Sequence, residues 1–165
     1  MNAGRRTGAG FLMVLAISGC VSLHLFSRSV KNNVGQMLPS LELKYMDQKP
    51  DLKGKALILE FWATWCEPCR EGIPALNEVY KTYKDQGLEI IGITKDDEAT
   101  VRGFSKEIPI KFPVALDPTN SVAGLLGITV IPHTLIVNRA GKIIWEGTPA
   151  TMQPGDVETA LKQGP

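Results

Sequence analysis

The sequence predicts an α/β domain in which helices cover both faces of a mixed β-sheet. Two nearly continuous apolar runs, Ala56–Ala63 and Leu88–Thr94, have the composition of central strands that are buried on both sides. Between them, Pro68–Gln86 carries apolar residues at helical spacing. Farther along, two short apolar segments flank Asn138–Gly141, a pattern that is typical of an antiparallel hairpin. Strand, helix, strand, helix, then hairpin and helix together describe such a sheet.

The segments on either side of the first central strand are also informative. Leu41–Met46 alternates apolar and polar residues, which predicts a half-exposed strand. The helix that follows the strand contains Pro74, which is expected to interrupt and kink it. Gly87 directly follows the helical pattern and suits a C-terminal cap.

The second half of the chain is predicted to alternate short helices and strands. Polar residues and glycines separate the apolar segments, so each element has a recognisable start or stop. The predicted elements are a helix capped by Asp96 or Asp97 that ends near Glu107, a strand at Phe112–Leu116, a helix at Asn120–Leu126 before Gly127, hairpin strands at Thr134–Val137 and Lys142–Trp145, and a helix at Gly155–Lys162.

The composition describes one globular domain with a short extra segment. The chain has 165 residues, of which 44% are hydrophobic and 21% are charged. Without residues 1–19, which hold two arginines and no acid, 16 basic residues remain against 17 acidic ones. A nearly neutral body argues against nucleic acid as a partner. The three cysteines are too few for a disulfide-stapled scaffold, so Cys20 and the pair Cys66 and Cys69 need separate explanations.

Residues 1–26 predict a signal peptide or a membrane anchor. Two arginines precede a short apolar core, and Ile17–Cys20 then places small residues just before a cysteine. These four residues resemble the lipobox of bacterial lipoproteins. On this interpretation cleavage leaves Cys20 as the first residue of the mature chain, and Cys20 is lipidated.

An uncleaved anchor helix is the alternative for the same segment. Ala9–Phe26 has 18 residues, close to the length that spans a bilayer, although polar residues interrupt its second half. Either interpretation places the body outside the cytoplasm and ties it to a membrane. The predicted linker is residues 27–36, and the predicted folded domain is residues 37–165.

Cys66 and Cys69 form a C-x-x-C pair at the junction of the first central strand and the helix after it. Unpaired N–H groups and the helix dipole favour the thiolate at such a helix N-terminus, so Cys66 suits the attacking sulfur in disulfide exchange. Cys69 lies one turn farther and is within disulfide reach, so it can resolve a mixed disulfide. Pro68 stiffens the turn between them.

Other uses of the pair are less well supported by the sequence. A structural zinc site needs four ligands, and His24 and His133 share no ligand spacing with the cysteines. Covalent haem attachment needs a histidine where Arg70 stands. A copper-binding or copper-delivery module that uses the pair and His133 is the alternative from a different functional class. A peroxiredoxin-like peroxide reductase is disfavoured, because Leu59 and Ala63 occupy the positions of its proline and its threonine or serine.

The segment Phe61–Arg70, followed by Pro74, closely resembles the membrane-tethered thioredoxin-like proteins of the TlpA/ResA family. Val130–Pro132 with Thr134 and the turn Gly141–Ile143 are similar as well. The resemblance covers about residues 36–161. It implies a thioredoxin-like mixed sheet with the central insertion of that family. It also implies a thiol-disulfide oxidoreductase that needs no cofactor beyond its own redox-active disulfide.

The resemblance also implies a cellular role and partners. Relatives of this kind are extracytoplasmic and act on disulfides or dithiols of client proteins. The expected function is reduction of disulfides in exported proteins, among which apocytochrome c with its haem-binding cysteines is one candidate client. The expected reductant of the pair itself is a thiol donor protein in the membrane.

Several site residues follow from the resemblance. The Ile131–Pro132 peptide bond is expected to be cis and to face the cysteines, and the backbone at Ile131 to pair with a client chain as an extra strand. Trp65, Glu67 and Pro68 are expected to contact the client as well.

Glu60 matches the buried acid that thioredoxins place behind the resolving cysteine. Burial is expected to raise its pKa and to make it a proton acceptor for Cys69.

One position departs from the family pattern. Close relatives often carry an acid three residues after the second cysteine, and this chain has Gly72 there. The neighbouring Glu71 is expected to point away along the helix. Trp62 is expected in the core, and His133, where thioredoxins have threonine, is expected to be packed or solvated.

Overall fold

The structure, a computed structural model, describes residues 32–164 and contains a six-stranded mixed sheet with helices on both faces. The predicted fold class is confirmed. The elements in chain order are β1 Lys44–Tyr45, β2 Ala56–Trp62, α1 Glu67–Tyr83 with a 3-10 turn at Lys84–Gln86, β3 Leu88–Thr94, α2 Glu98–Phe104, β4 Val114–Leu116, α3 Ser121–Leu125, β5 His133–Val137, β6 Ile143–Gly147 and α4 Pro154–Lys162.

The sheet has the strand order β1-β4-β3-β2-β5-β6, so the two buried strands lie at its centre. β2 pairs in parallel with β3 and antiparallel with β5. Trp62 lies opposite Thr94, and Phe61 lies opposite His133, so β2 and β3 finish at the same end at which β5 begins. Because Cys66 follows β2 after a short loop, we call this the cysteine end of the sheet.

Alternate residues of β2 supply two separate cores. Leu57, Leu59 and Phe61 face a cluster that includes α3 and the segment before β1. Ala56 and Ile58 face the opposite side, where α1 and α4 pack. The seven residues of β2 are all buried, which explains why the strand is an apolar run rather than an alternating one.

Most element boundaries agree with the predictions, and a few do not. Within the predicted strand Leu41–Met46, only Lys44–Tyr45 forms a strand, because only these two residues pair with β4. β4 starts at Val114 rather than Phe112, since Pro113 has no N–H to donate to a ladder. α2 ends at Phe104 rather than near Glu107. α1 runs through Pro74 without interruption, and Gly87 adopts a left-handed conformation with φ of 94° as a cap.

The N-terminal predictions are tested only in part by the described residues. Between residues 32 and 164, no helix is long and apolar enough to cross a membrane. The predicted signal or anchor at residues 1–26 and the lipidation site Cys20 lie outside the described residues. Within the predicted linker, Asn33 is buried, and Gly35 donates a hydrogen bond to Ile143, so the last part of that segment packs on the body.

Candidate active site

Cys66 and Cys69 form a disulfide at the N-terminus of α1. Cys66 is the N-cap residue of this 17-residue helix, and the two Cα atoms are 5.2 Å apart. Both residues are buried, with 5% of Cys66 and 2% of Cys69 exposed. The first N–H groups of a helix are unpaired and carry its positive dipole end, so they stabilise a thiolate that forms on Cys66 when the disulfide opens.

The residues between and after the cysteines leave this helix start accessible. Pro68 lies in the first turn, where a missing N–H costs nothing. Glu67 is exposed, and its carboxylate lies 3.5 Å from Nε of Arg70. The Arg70 guanidinium also lies over the ring of Phe104, 5.3 Å from the centroid. An exposed charge pair therefore borders the disulfide on the α2 side.

Two charged side chains brace the loop that carries Cys66. The Thr64 N–H donates to Oδ2 of Asp96 at 2.6 Å, and the Thr64 carbonyl accepts from Arg70 at 3.4 Å. Asp96 follows β3, and Arg70 belongs to α1, so the loop is held from two separate elements. The prediction that Asp96 or Asp97 caps α2 resolves to Asp97, whose side chain accepts from the Thr100 N–H.

Glu60 is buried in the centre of the sheet, on the face that α1 covers. It lies in β2 directly opposite Thr134 of β5, and the Thr134 hydroxyl donates to its Oε2 at 2.5 Å. The residue is 1% exposed. Burial raises the pKa of Glu60 from 4.5 to about 8, and the hydrogen bond from Thr134 offsets part of this rise. In the disulfide form the carboxyl group therefore holds its proton at neutral pH.

The Ile131–Pro132 peptide bond is cis, as predicted. Ile131 packs against the hydrophobic cluster that contains Cys66 and Cys69. Beside it Val130 is 70% exposed, and Trp65 on the opposite loop is 75% exposed. Trp65 and Ile131 both line a cavity of about 470 Å³ whose floor includes Phe61 and Ile93. Exposed apolar side chains thus lie beside Cys66 in its loop and beside the cis-proline in the other.

The close approach of a loop explains why glycine suits position 72. A Cβ atom at this position would lie 3.1 Å from the side chain of Pro149, which is buried in the loop between β6 and α4. A longer side chain at position 72 would require this loop to shift. Glu71 is exposed on the helix surface. At this position the chain therefore has a contact with the loop rather than the acid that the family resemblance leads us to expect.

The His133 side chain is hydrogen-bonded within the protein. Its Nε2 lies 2.8 Å from Oε1 of Glu146, and its side chain is 20% exposed. Within residues 32–164, no group of three or more His, Cys, Asp or Glu side chains is arranged to hold a metal ion. Leu59 and Ala63, which occupy the positions of the peroxiredoxin proline and of its threonine or serine, are both buried apolar side chains.

Sequence reasoning missed the partners of the predicted site residues. The sequence patterns indicate Thr134 only as part of a family motif and Asp96 only as a candidate helix cap. Their contacts join positions 74 and 32 residues apart in the chain, so they depend on strand register and on the way two loops meet. Short polar residues next to the ends of two central strands are the one signal that points to them.

Comparison with known proteins assigns the family. The family model described as AhpC/TSA family matches residues 34–146. The thiol-disulfide oxidoreductase ResA of Bacillus cereus (strain ATCC 10987 / NRS 248) is 36% identical over 145 residues, which cover 82% of this chain and 83% of that protein. The chain belongs to the AhpC/TSA family and, within it, to the ResA-like thiol-disulfide oxidoreductases. The predicted family and the predicted redox activity are confirmed.

Solved structures of thioredoxin-like proteins agree with this assignment. A thiol:disulfide interchange protein of the thioredoxin family from Chlorobium tepidum TLS is 31% identical, with a TM-score of 0.65 over 79% of this chain and 99% of that one. The exposed lipoprotein thioredoxin of Streptococcus pneumoniae strain TIGR4 is 25% identical, with a TM-score of 0.60 over 74% of this chain and 97% of that one. As a ResA-like oxidoreductase, the protein acts on dithiols or disulfides of client proteins.

The buried Glu60 carboxyl makes the stability of the disulfide form depend on pH. Between pH 4.5 and about 8 the folded protein keeps a proton on Glu60 that the unfolded chain has lost, so stability falls as the pH rises through this window. Compared with Glu60→Gln, the free energy of unfolding of the parent protein is expected to fall by up to about 1.4 kcal/mol per pH unit. Urea unfolding of both oxidised proteins at pH 5 to 8 measures this difference. Parallel pH profiles for the two proteins would show that Glu60 is not the titrating group.

The brace on the Cys66 loop predicts a local effect of Asp96→Ala. Removing the carboxylate leaves the Thr64 N–H without its acceptor, which is expected to cost about 1–3 kcal/mol of stability. Amide hydrogen exchange of Thr64 is expected to accelerate in Asp96→Ala and much less in Asp96→Asn, which keeps an acceptor oxygen. The matched control is Asp97→Ala, which removes the cap of α2 and leaves Thr64 bonded. Unchanged protection of Thr64 in Asp96→Ala would show that the brace is absent in solution.

Proposed function

We propose that the protein is an extracytoplasmic, membrane-tethered thiol-disulfide oxidoreductase that reduces disulfides of exported proteins. The observation that carries this proposal is the Cys66–Cys69 pair at the N-terminus of α1, next to the exposed surface formed by Trp65 and Ile131. This arrangement provides a stabilised thiolate, a second thiol within reach, and a place for a client chain. No further cofactor is needed for the chemistry.

Cys66 is proposed as the attacking residue and Cys69 as the resolving residue. The Cys66 thiolate attacks one sulfur of a client disulfide, and the other client sulfur leaves as a thiolate that takes up a proton. Cys69 then attacks Sγ of Cys66, which forms the disulfide seen in the structure and releases the second client thiol. Two electrons pass from the cysteine pair to the client in this cycle.

Glu60 is proposed as the proton acceptor for Cys69. The residue lies on the face of the sheet that α1 covers, and Cys69 is a buried residue in the first turn of that helix. A carboxyl group whose pKa is about 8 is close to an ordinary thiol in basicity, so the proton can move between them at little cost. The protonated Glu60 of the disulfide form is then the product of the resolving step.

Trp65, Glu67, Pro68, Ile131 and Pro132 are proposed as the residues that contact the client. The carbonyl and N–H groups before a cis-proline offer an edge to which an extended chain can add as a strand. Trp65 and Ile131 line the same cavity, and Ile131 also packs against the cluster that contains the cysteines. This geometry supports an unfolded or extended client segment around a cysteine, such as the haem-binding segment of apocytochrome c.

The membrane attachment is proposed to occur through Cys20 or through an anchor helix at the same segment. The lipobox-like residues Ile17–Cys20 support lipidation. The pneumococcal relative is an exposed lipoprotein, which supports the same topology for this chain. A membrane protein with a reactive dithiol is proposed to return the oxidised pair to the reduced form.

A trapping experiment tests the assigned roles. In Cys69→Ser the mixed disulfide cannot be resolved, so the protein is expected to accumulate as a covalent adduct with an oxidised Cys-x-x-Cys-His peptide. The adduct is detected by mass under non-reducing conditions and is expected to disappear with dithiothreitol. The matched control, Cys66→Ser, is expected to form no adduct. Equal trapping by both variants, or none by Cys69→Ser, would contradict the proposed order of attack.

The reduction potential tests the proposed direction of the reaction. A reductant of exported proteins is expected near the thioredoxin value of about −270 mV, whereas strongly oxidising periplasmic proteins lie near about −120 mV. Equilibration of the Cys66–Cys69 pair with defined ratios of reduced and oxidised glutathione or dithiothreitol measures it. A value at the oxidising end would reverse the direction proposed here.

A further inference from the structure

The Glu60 carboxyl group is held by a neutral hydroxyl. Glu60 lies opposite Thr134 of β5 on one side and opposite Gly92 of β3 on the other. The Thr134 hydroxyl donates to Oε2 of Glu60, and both residues are buried, with 1% of Glu60 and 0% of Thr134 exposed. Among residues 32–164, no lysine, arginine or histidine pairs with this carboxyl group. The acid therefore depends on Thr134 for its polar contact.

The other strand neighbour, Gly92, has no side chain and no room for one. A Cβ atom at this position would lie 2.9 Å from Nε1 of Trp62 and 3.0 Å from Cε2 of Phe112. Any larger residue would require one of these buried rings to move. Of the two residues directly across from Glu60, Thr134 is thus the one that carries a polar side chain.

Glu60 faces the part of α1 that carries Cys69. Side chains alternate along a strand, so Ile58, Glu60 and Trp62 share one face of β2. Ile58 belongs to a cluster that includes Leu76 of α1, and Trp62 belongs to the cluster that includes Cys69. The Glu60 carboxyl group therefore lies between two contacts of β2 with this helix, and Cys69 is the thiol that α1 brings to the same face.

The Thr134 hydroxyl distinguishes the two oxygens of Glu60. A protonated carboxyl group has one O–H and one carbonyl oxygen. Because Oε2 accepts from Thr134, it is the carbonyl oxygen, and the proton lies on Oε1. When Glu60 ionises, the same bond strengthens, since a carboxylate accepts more strongly than a neutral acid. Burial raises the pKa of Glu60, and the bond from Thr134 opposes this rise because it favours the ionised form.

We propose that Thr134 is a positioning residue for the exchange at Cys69: its hydroxyl holds Oε2 of Glu60, so that Oε1 takes and returns the proton of the Cys69 thiol. This inference rests on the proton-acceptor role proposed for Glu60 above. It adds a second residue to that role. Thr134 is fully buried, so it acts through the acid and not on the client.

The proton moves in both halves of the cycle. When a client is reduced, the Cys69 thiol gives its proton to Oε1, the Cys69 thiolate attacks Sγ of Cys66, and the bond between Cys66 and the client breaks. The client sulfur leaves with the electron pair of that bond and takes up a proton from water. When a dithiol donor later opens the Cys66–Cys69 disulfide, Cys69 leaves as a thiolate and recovers its proton from Oε1. The donor becomes a disulfide, and Glu60 is ionised again.

Release of thionitrobenzoate isolates the step at Cys69. Every full-length protein compared carries Cys20→Ser, so that Cys66 and Cys69 are its only thiols. The reduced protein, in excess, reacts with dithiobisnitrobenzoate in a first phase in which Cys66 attacks. A second phase, whose rate is independent of protein concentration, follows as Cys69 displaces the thionitrobenzoate bound to Cys66. Stopped-flow absorbance measures both phases.

Changes at position 134 are expected to affect the second phase. Thr134→Val keeps the shape of the side chain and removes the donor, so fewer Glu60 side chains are ionised, and release at neutral pH is expected to slow at least about threefold. The first phase is expected to stay unchanged. Thr134→Ser keeps a hydroxyl and is expected to retain the parent rate. Thr159→Val is the matched control, because it removes an exposed hydroxyl of α4 that donates to the Gly155 carbonyl.

The Glu60→Gln background shows whether Thr134 acts through the acid. There Thr134→Val is expected to cause no further slowing, because the proton acceptor is already absent. Equal slowing by Thr134→Val in both backgrounds, or a parent-like second phase in Thr134→Val alone, would overturn the inference. A parent-like second phase in Glu60→Gln would instead refute the acceptor role of Glu60. A parent protein without a second phase would refute the resolving role of Cys69.

Infrared spectroscopy tests the hydrogen bond itself. At neutral pH the disulfide form is expected to show the C=O stretching band of a protonated carboxyl group that Glu60→Gln lacks. A hydrogen bond to the carbonyl oxygen lowers this frequency, so the band is expected to rise in frequency in Thr134→Val and to keep its position in Thr134→Ser. If Thr134→Val does not fold, the parent band still decides, since a frequency typical of a carboxyl group without a donor would overturn the inference.

Discussion

The buried strand β2 is the constraint on which the rest of the molecule depends. It pairs along its whole length with β3 and along most of it with β5, and all of its residues are buried. A strand held on both edges and both faces cannot shift, so the loop after it is delivered to one place. α1 then begins directly after Cys66, its N-cap residue, where the positive end of the helix dipole favours a thiolate. The position of β2 therefore determines where Cys66 lies, although the reactive sulfur itself is outside the strand.

Glu60 is the exception to the apolar character of β2, and its environment explains how it is tolerated. A rise in pKa from 4.5 to about 8 corresponds to about 5 kcal/mol against ionisation, so the group stays neutral in the disulfide form. The Thr134 hydroxyl, directly across the strand pair, satisfies one of its oxygens. A neutral, hydrogen-bonded carboxyl group is compatible with a buried position. Its ionised form is disfavoured there, because the charge loses its hydration. The residue therefore links the packing of the sheet to the protonation of the cysteine pair.

The sequence predicted those features that depend on local pattern. The bounds of β3 agree with the apolar run Leu88–Thr94, and the C-x-x-C motif predicts the two thiols that form the disulfide. What it did not predict depends on long-range contacts. Leu41 and Leu43 pack against the core without joining a ladder, which alternation alone cannot distinguish from a strand. The bond between Asn33 and Glu146 joins residues 113 apart in the chain, so no local pattern indicates that a predicted linker is docked.

Several long-range polar contacts of the described chain hold the segments around the cysteine pair and the cis-proline. Asp96 holds the loop before Cys66, and Thr134 holds Glu60 beneath α1. Both Asn33 and His133 are held by Glu146 next to the cis-proline. Each of these bonds joins different segments of the chain, and each has at least one partner shielded from water, where a hydrogen bond is strong and an unpaired group is costly. A site that exchanges disulfides must admit a client chain while its own loops stay fixed, and this set of cross-links holds the loops without covering the exposed surface of Trp65 and Val130.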